Sequence, residues 1–233
     1  MRSRRTLLVP LLAACLLSGC AFGAGTPAAS TTNGVADSSA SDVLRTAVAN
    51  AKGESSVRVV GTGSCTDGAF TVDMHLRSDE TGTGSVILGK DTLQVVSTKD
   101  ALYVKAPSTF WTAVSSGAAA ATVGTKWVRL SRASSVCISA ISSFSSVLAN
   151  YLGYPGSPTK KPASVVFGTP AVLLELPNDV SFWVATQGTP LPVRITDPAA
   201  PTAISLLDWG KAVTVTVPAP GDVLDGSTLT AGS

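Results

Sequence analysis

Histidine is almost missing from this chain. His75 is the only one in 233 residues, so the side chain that most often moves protons or binds zinc near neutral pH is scarce. It alternates with apolar residues along "AFTVDMHLR" and falls on the polar face, which reads as a solvated or hydrogen-bonded surface histidine. No Gly-x-Ser-x-Gly, His-Glu-x-x-His or Walker A pattern occurs. Asp67, Asp73 and Asp79 are close in sequence, but they fall on a turn and a strand without calcium-loop spacing. Charge is scarce too. Only 14% of residues are charged, with 17 Lys+Arg against 15 Asp+Glu. That balance offers no basic stripe for nucleic acid and no polybasic patch for a membrane. No apolar run approaches the roughly 20 residues that a spanning helix needs. These gaps predict a non-enzymatic protein with no cofactor, no metal and no nucleic-acid partner.

What is present begins with "LLVPLLAACLLSGC". Arg2, Arg4 and Arg5 precede an apolar run from Leu7 to Leu17, and small residues follow it. A basic start, a short apolar core and a small-residue end describe a secretory signal peptide. The ending Leu17-Ser18-Gly19-Cys20 resembles the bacterial lipobox. There the cysteine sulfur takes a diacylglyceryl group, and the signal peptidase cuts just before it. Cys20 is therefore the expected lipid anchor. Residues 21–41 are rich in Ala, Gly, Ser and Thr, with Asp37 the only charge. Such a segment buries too little apolar area to fold, so 20–41 is expected to be a lipidated flexible tether. Removing residues 1–19 takes three of the 17 basic residues, leaving 14 against 15 acidic ones and a formal charge of −1.

Cysteine arithmetic agrees. Cleavage before Cys20 discards Cys15 and leaves Cys20, Cys65 and Cys137. If Cys20 carries lipid, Cys65 and Cys137 remain as one pair, and outside the cytoplasm a disulfide between them can persist. It would close a loop of roughly 70 residues and stabilise by about 4 kcal/mol in the chain-entropy account.

Periodicity supplies the domain, expected over 42–218. "DVLRTAVANAK" reads as a short helix ended by Gly53. The period then changes to two. Phe70, Val72, Met74 and Leu76 face one way on the clearest strand, with neighbours "SSVRVVGTG", "GSVILGK", "DTLQVVSTK" and "DALYVKA" in an antiparallel meander. "STFWTAVSSGAAAATVG" is a weak helix or loop, and "KWVRL" a short strand. Residues 138–153 form an amphipathic helix with Ile138, Ile141, Phe144, Leu148 and Leu152 on one stripe. "YPGSPTKKPA" is an exposed loop. Strands resume at "SVVFG", "AVLLEL", "VSFWVAT", "LPVRITD", "TAISLLDW" and "AVTVTVP", and 219–233 is expected to be a loose tail. The order predicts an α+β fold, a strongly curved antiparallel sheet with helices on its concave face. The aromatics Phe110, Trp111, Trp127, Phe182, Trp183 and Trp209 pack a core or line an apolar cavity. Periodicity does not separate the two.

The lipobox, "DALYVKAPSTFW" followed by "GTKWVRLS", the strand pair "VSFWVATQGTPLPVRIT" and the ending "ISLLDWGKAVTVTVP" resemble the LolA/LppX-like, LprG-type lipoproteins of actinobacteria. The likeness spans roughly 42–218. It implies a half-open β-barrel draped over helices. It also implies an apolar cavity that binds acyl chains of lipids or lipoglycans and carries them in the cell envelope, at the extracytoplasmic face of the cell membrane. Phe70, Val72, Met74, Leu76, Phe144, Leu148 and Phe182 are the candidates to line that cavity. The alternative is a sensor or interaction module for a membrane-protein partner. The alanine-rich segment 118–121 and the Cys65/Cys137 pair depart from the family pattern.

Overall fold

The computed structural model describes residues 32–65, 68–115, 117–134, 136–153 and 156–230. The signal segment, Cys20 and residues 21–31 of the tether lie outside them. Helix α1 (Ala40–Gly53) starts where the Ser39 hydroxyl accepts from the Asp42 N–H, a side-chain cap that satisfies one orphan donor. Val43, Ala47 and Ala51 are wholly buried. Two of these three are alanine, so the helix backbone can sit close to what it covers.

Five strands follow as the expected meander: β1 (Ser56–Cys65), β2 (Gly68–Arg77), β3 (Gly82–Leu88), β4 (Asp91–Ser97) and β5 (Ala101–Lys105). Helices α2 (Ser108–Val114) and α3 (Gly117–Val123) resolve the helix-or-loop ambiguity toward helix, and β6 (Trp127–Ser131) returns to the sheet. After α4 (Val136–Ile141) and α5 (Phe144–Leu152) come β7 (Thr159–Lys160), β8 (Ser164–Val166), β9 (Thr169–Glu175), β10 (Ser181–Ala185), β11 (Pro192–Asp197) and β12 (Thr202–Leu207). The described chain ends with β13 (Val223–Asp225) and α6 (Ser227–Thr230).

All thirteen strands of the described residues join one curved, unclosed sheet. Its order is β13-β6-β5-β4-β3-β2-β1-β12-β11-β10-β9-β7, with β8 also on β9. Every ladder among the described residues is antiparallel except β13 beside β6. The meander and the second group of strands meet at β1 and β12, with Val59 opposite Leu206. Strand alternation drives one face inward. Phe70, Val72, Met74 and Leu76 of β2 are buried, as are Val57 and Val59 of β1, Leu174 of β9, Phe182 of β10 and Ile195 of β11, and all belong to one apolar cluster with the helices. This is the expected α+β, LolA-like half-open sheet.

Four local expectations are corrected. The helix expected over 138–153 is two helices. Ser143 sits at φ −133°, ψ 140° and accepts from the Ser146 N–H, which caps α5 and breaks the run. The apolar stripe survives the break, because Ile138, Ile141, Phe144, Leu148 and Leu152 are all buried. The serines at the break, Ser142 and Ser143, are buried as well, although an amphipathic helix would expose them on its polar side. Second, "AVTVTVP" (212–218) pairs with no strand. Its neighbour Lys211 accepts from the Ser56 hydroxyl and Val213 accepts from Arg77. The segment leaves the middle of the sheet beside β1 and β2 this way, and the chain after it returns as β13, the edge strand next to β6. Val213 and Val215 are half-buried between exposed Thr214 and Thr216, so the period of two reports an alternating environment without a ladder. Third, the stretch from 219 onward is not loose through 230, since it adds β13 and buries Leu229. Fourth, the tether is tied down from residue 32. Thr32 bridges Gln187, the Asn33 amide donates to the carbonyls of Ala185 and Gly188, and Val35 enters the core.

Candidate functional site

The concave side is built on β2, and each of its four apolar candidates faces a glycine. Phe70 pairs with Gly63 and Val72 with Gly61 on β1, while Met74 pairs with Gly84 and Leu76 with Gly82 on β3. The spacing is simple: Gly-x-Gly in a strand puts both glycines on one face. The effect is close packing. A Cβ on Gly63 would lie 2.5 Å from the Phe70 ring, and one on Gly82 would lie 2.7 Å from a Leu76 methyl. The large β2 side chains therefore lie over bare backbone. The motifs "VGTGSC" and "TGTGSV" carried this signal in the sequence, and it was missed.

Helices close the space above. Phe144 and Leu148 of α5 are buried, and the Phe144 ring meets Trp209 edge-on, with centroids 6.5 Å apart. The Trp209 indole N–H donates to the Pro192 carbonyl at 2.9 Å, so the ring is fixed between β11 and α5. Phe182 is fully buried on β10. Helix α1 packs on α5, β10 and β11. Beside it runs a groove of about 440 Å³ lined by Leu44, Arg45, Val48, Lys52, Leu152 and Pro158. Among the described residues, three buried side-chain donors have no hydrogen-bond partner: the hydroxyls of Ser97 and Ser142 and the indole N–H of Trp111.

A polar clamp holds the helices to one end of the sheet. The Arg132 guanidinium donates to the carbonyls of Thr98, Lys99 and Glu80, uniting the β2–β3 and β4–β5 turns. The Glu80 carboxylate accepts from the Ser145 N–H at 3.2 Å and from its hydroxyl at 3.0 Å, at the start of α5. Glu80 has φ 66°, in the left-handed region. Single residues of this kind carry no periodic signal, so the sequence did not disclose the clamp.

The outer face carries the charge. Arg58 grips Asp73 with two bonds of 2.9 and 2.7 Å and lies 4.0 Å from Asp208. The Arg58 bond holds the Asp73 carboxyl below the usual carboxylate range, and Lys211 does the same for Asp208. His75 is paired in register with Arg58 on this face, away from the apolar interior. Among the described residues no three His, Cys, Asp or Glu side chains cluster to hold a metal. None of their helices is long and apolar enough to cross a membrane. Cys65 ends β1 and Cys137 lies in α4, but the Cys137 side chain is outside the described set and so is the expected bond.

No protein-family model and no curated protein matches the chain. Among solved structures, LprF from Mycobacterium bovis is similar, with a TM-score of 0.53 at 16% identity, over 77% of this chain and 97% of that one. At that identity the likeness is one of fold. It spans almost all of the neighbour.

Proposed function

We propose that this protein is a lipoprotein, anchored through Cys20 to the extracytoplasmic face of the cell membrane, whose apolar interior takes acyl chains of lipids or lipoglycans and carries them in the envelope. One observation carries the reading: the concave face of an unclosed sheet is lined by apolar side chains laid flat on glycines, under short helices with breaks between them. Opening such an interior exposes acyl-compatible surface, and each CH₂ placed there gains about 0.8 kcal/mol. The unpartnered donors of Ser97, Ser142 and Trp111 are of a kind that pairs with ester or hydroxyl groups of such a lipid. The resemblance to LolA/LppX-like lipoproteins points the same way. On this reading Phe70, Val72, Met74, Leu76, Phe144, Leu148 and Phe182 contact the acyl chain, and a Cys65–Cys137 disulfide pins α4 to the end of β1.

A second reading has its own support. All seven candidates are at most 8% exposed and belong to one continuous cluster, which is also what a filled core looks like. A filled domain would serve as an interaction module for a membrane-protein partner. Native mass spectrometry of the purified chain, before and after organic extraction, separates the two. Co-purifying lipid whose removal lowers the melting temperature is the expected result. A chain that never carries lipid and gains no stability from added lipid would leave the interaction module.

A further inference from the structure

The β8–β9 hairpin ends in a two-residue turn. Val166 pairs with Thr169, leaving Phe167 and Gly168 between them. Both have left-handed backbone, φ +48° and +79°, as a type I′ turn requires, and that turn favours Asn-Gly. A bulky residue at its first position is strained. Phe167 gains no burial in exchange. It is 69% exposed, and Val165, two positions earlier, is 68% exposed. The Arg194 guanidinium lies 5.1 Å from the ring centroid. An apolar pair that breaks a local rule without being buried marks a contact made outside the chain.

Its position indicates with what. Val165 is paired with Pro170, the Pro170 carbonyl accepts from the Thr186 N–H, and the adjacent Gln187 bridges Thr32. At about 5 Å per strand step, the exposed pair is about 15 Å from Thr32, the first described residue. Only 11 residues lie between Cys20 and Thr32, and fully extended the chain across them reaches at most about 43 Å. A bilayer holding the Cys20 acyl chains is therefore within reach of the hairpin.

We propose that the β8–β9 tip is a membrane-contact site. Val165 and Phe167 enter the interfacial layer of the bilayer that holds Cys20, and Arg194 meets a lipid phosphate. The proposal rests on the lipoprotein reading. Its use follows from anchor physics: the two chains of a diacylglyceryl group hold the protein at the bilayer but leave the domain free to turn on its tether, and a second contact fixes its orientation. Aromatic rings favour the interfacial layer, and guanidinium favours phosphate.

The test is hydrogen exchange of the full lipidated chain on vesicles of phosphatidylcholine and phosphatidylglycerol. The Cys20→Ala chain in buffer is the reference. Amides 164–169 are expected to exchange several-fold more slowly on vesicles, with the β3–β4 turn unchanged. The double variant Val165→Ser, Phe167→Asn puts the favoured Asn-Gly pair in the turn, so it folds with an undiminished melting temperature. It should still float with the vesicles but lose the slowing. A wild-type chain that floats with an unchanged hairpin overturns the contact alone. So does a hairpin already protected in buffer by a second copy, seen as a doubled mass. A chain that does not float overturns the anchor reading and the contact with it.

Discussion

At the residue scale, glycine does more here than make turns. A Cβ on Gly84 would lie 2.1 Å from the Asp73 carbonyl oxygen and 2.8 Å from the Met74 Cα, and backbone atoms cannot step aside as a side-chain tip can. Gly84→Ala should therefore destabilise by about 1–3 kcal/mol or more, seen as a lower urea midpoint. Gly63→Ala meets only the movable Phe70 ring and should lose less. Equal losses at the two sites would contradict this account of the β2 face. The apolar candidates were legible because alternation marks them one by one. The glycines opposite were not, because a missing side chain leaves no periodic trace until strand register is known. Charge at this scale makes a pH prediction. Asp73 and Asp208 are held below the usual carboxylate range by Arg58 and Lys211, and Arg58 also lies near Asp208. A carboxyl whose folded value is depressed contributes stability above its unfolded value and loses it as pH falls through the folded one. Stability should thus decline from about pH 4 downward, and Asp73→Asn should flatten that decline in melts taken across the acid range. An unchanged slope would show that the Arg58 pair does not contribute to it.

At the element scale, the decisive event is the break at Ser142–Ser143. Apolar residues at 138, 141, 144, 148 and 152 fit one helix, and they fit two helices that keep the same buried side. The sequence pattern therefore could not tell them apart. What separates them is a cap, and a serine-rich stretch offers too many candidate caps to choose one. The "AVTVTVP" segment is the converse case. Its alternation was read correctly, but alternation names a face and never a partner. The broken helix pair depends on its attachments, chiefly Arg132 and Glu80. Arg132→Ala removes a cation shared by three turn carbonyls, and charge-assisted bonds contribute about 1.5–3 kcal/mol each at most. The expected outcome is a domain that stays folded, with faster amide exchange in α4, α5 and the β4–β5 turn. Unchanged exchange in α5 would mean that the apolar stripe alone holds the helices.

At the scale of the whole molecule, the thirteen strands of the described residues form a sheet that does not close, and an open sheet has edges to manage. The fold class was legible because the order of helix, meander, helical insert and second strand group leaves few other arrangements. The treatment of the two ends was not, because it depends on contacts far apart in sequence. At the start, Asn33 and Val35 fasten the chain beside β10, so the tether to Cys20 is shorter than composition suggested. Cys20→Ala should leave the domain folded but release it from the membrane or leave it as uncleaved precursor, by fractionation and intact mass. Mature-length protein retained in the membrane would defeat the anchor. At the other end, residues 208–222 carry the chain to β6, where Val223, Leu224 and Asp225 pair with Trp127, Val128 and Arg129. Leu229 then packs into the core cluster. Ending the chain at Pro218 should do two things. It removes a buried leucine, worth about 1.5–3 kcal/mol, and so lowers the melting temperature. It also bares the β6 edge, whose unpaired backbone groups can template another chain, so the truncated protein should elute as larger species at rising concentration. If it instead melts and elutes as the full chain does, β13 and α6 are dispensable and the sheet effectively ends at β6.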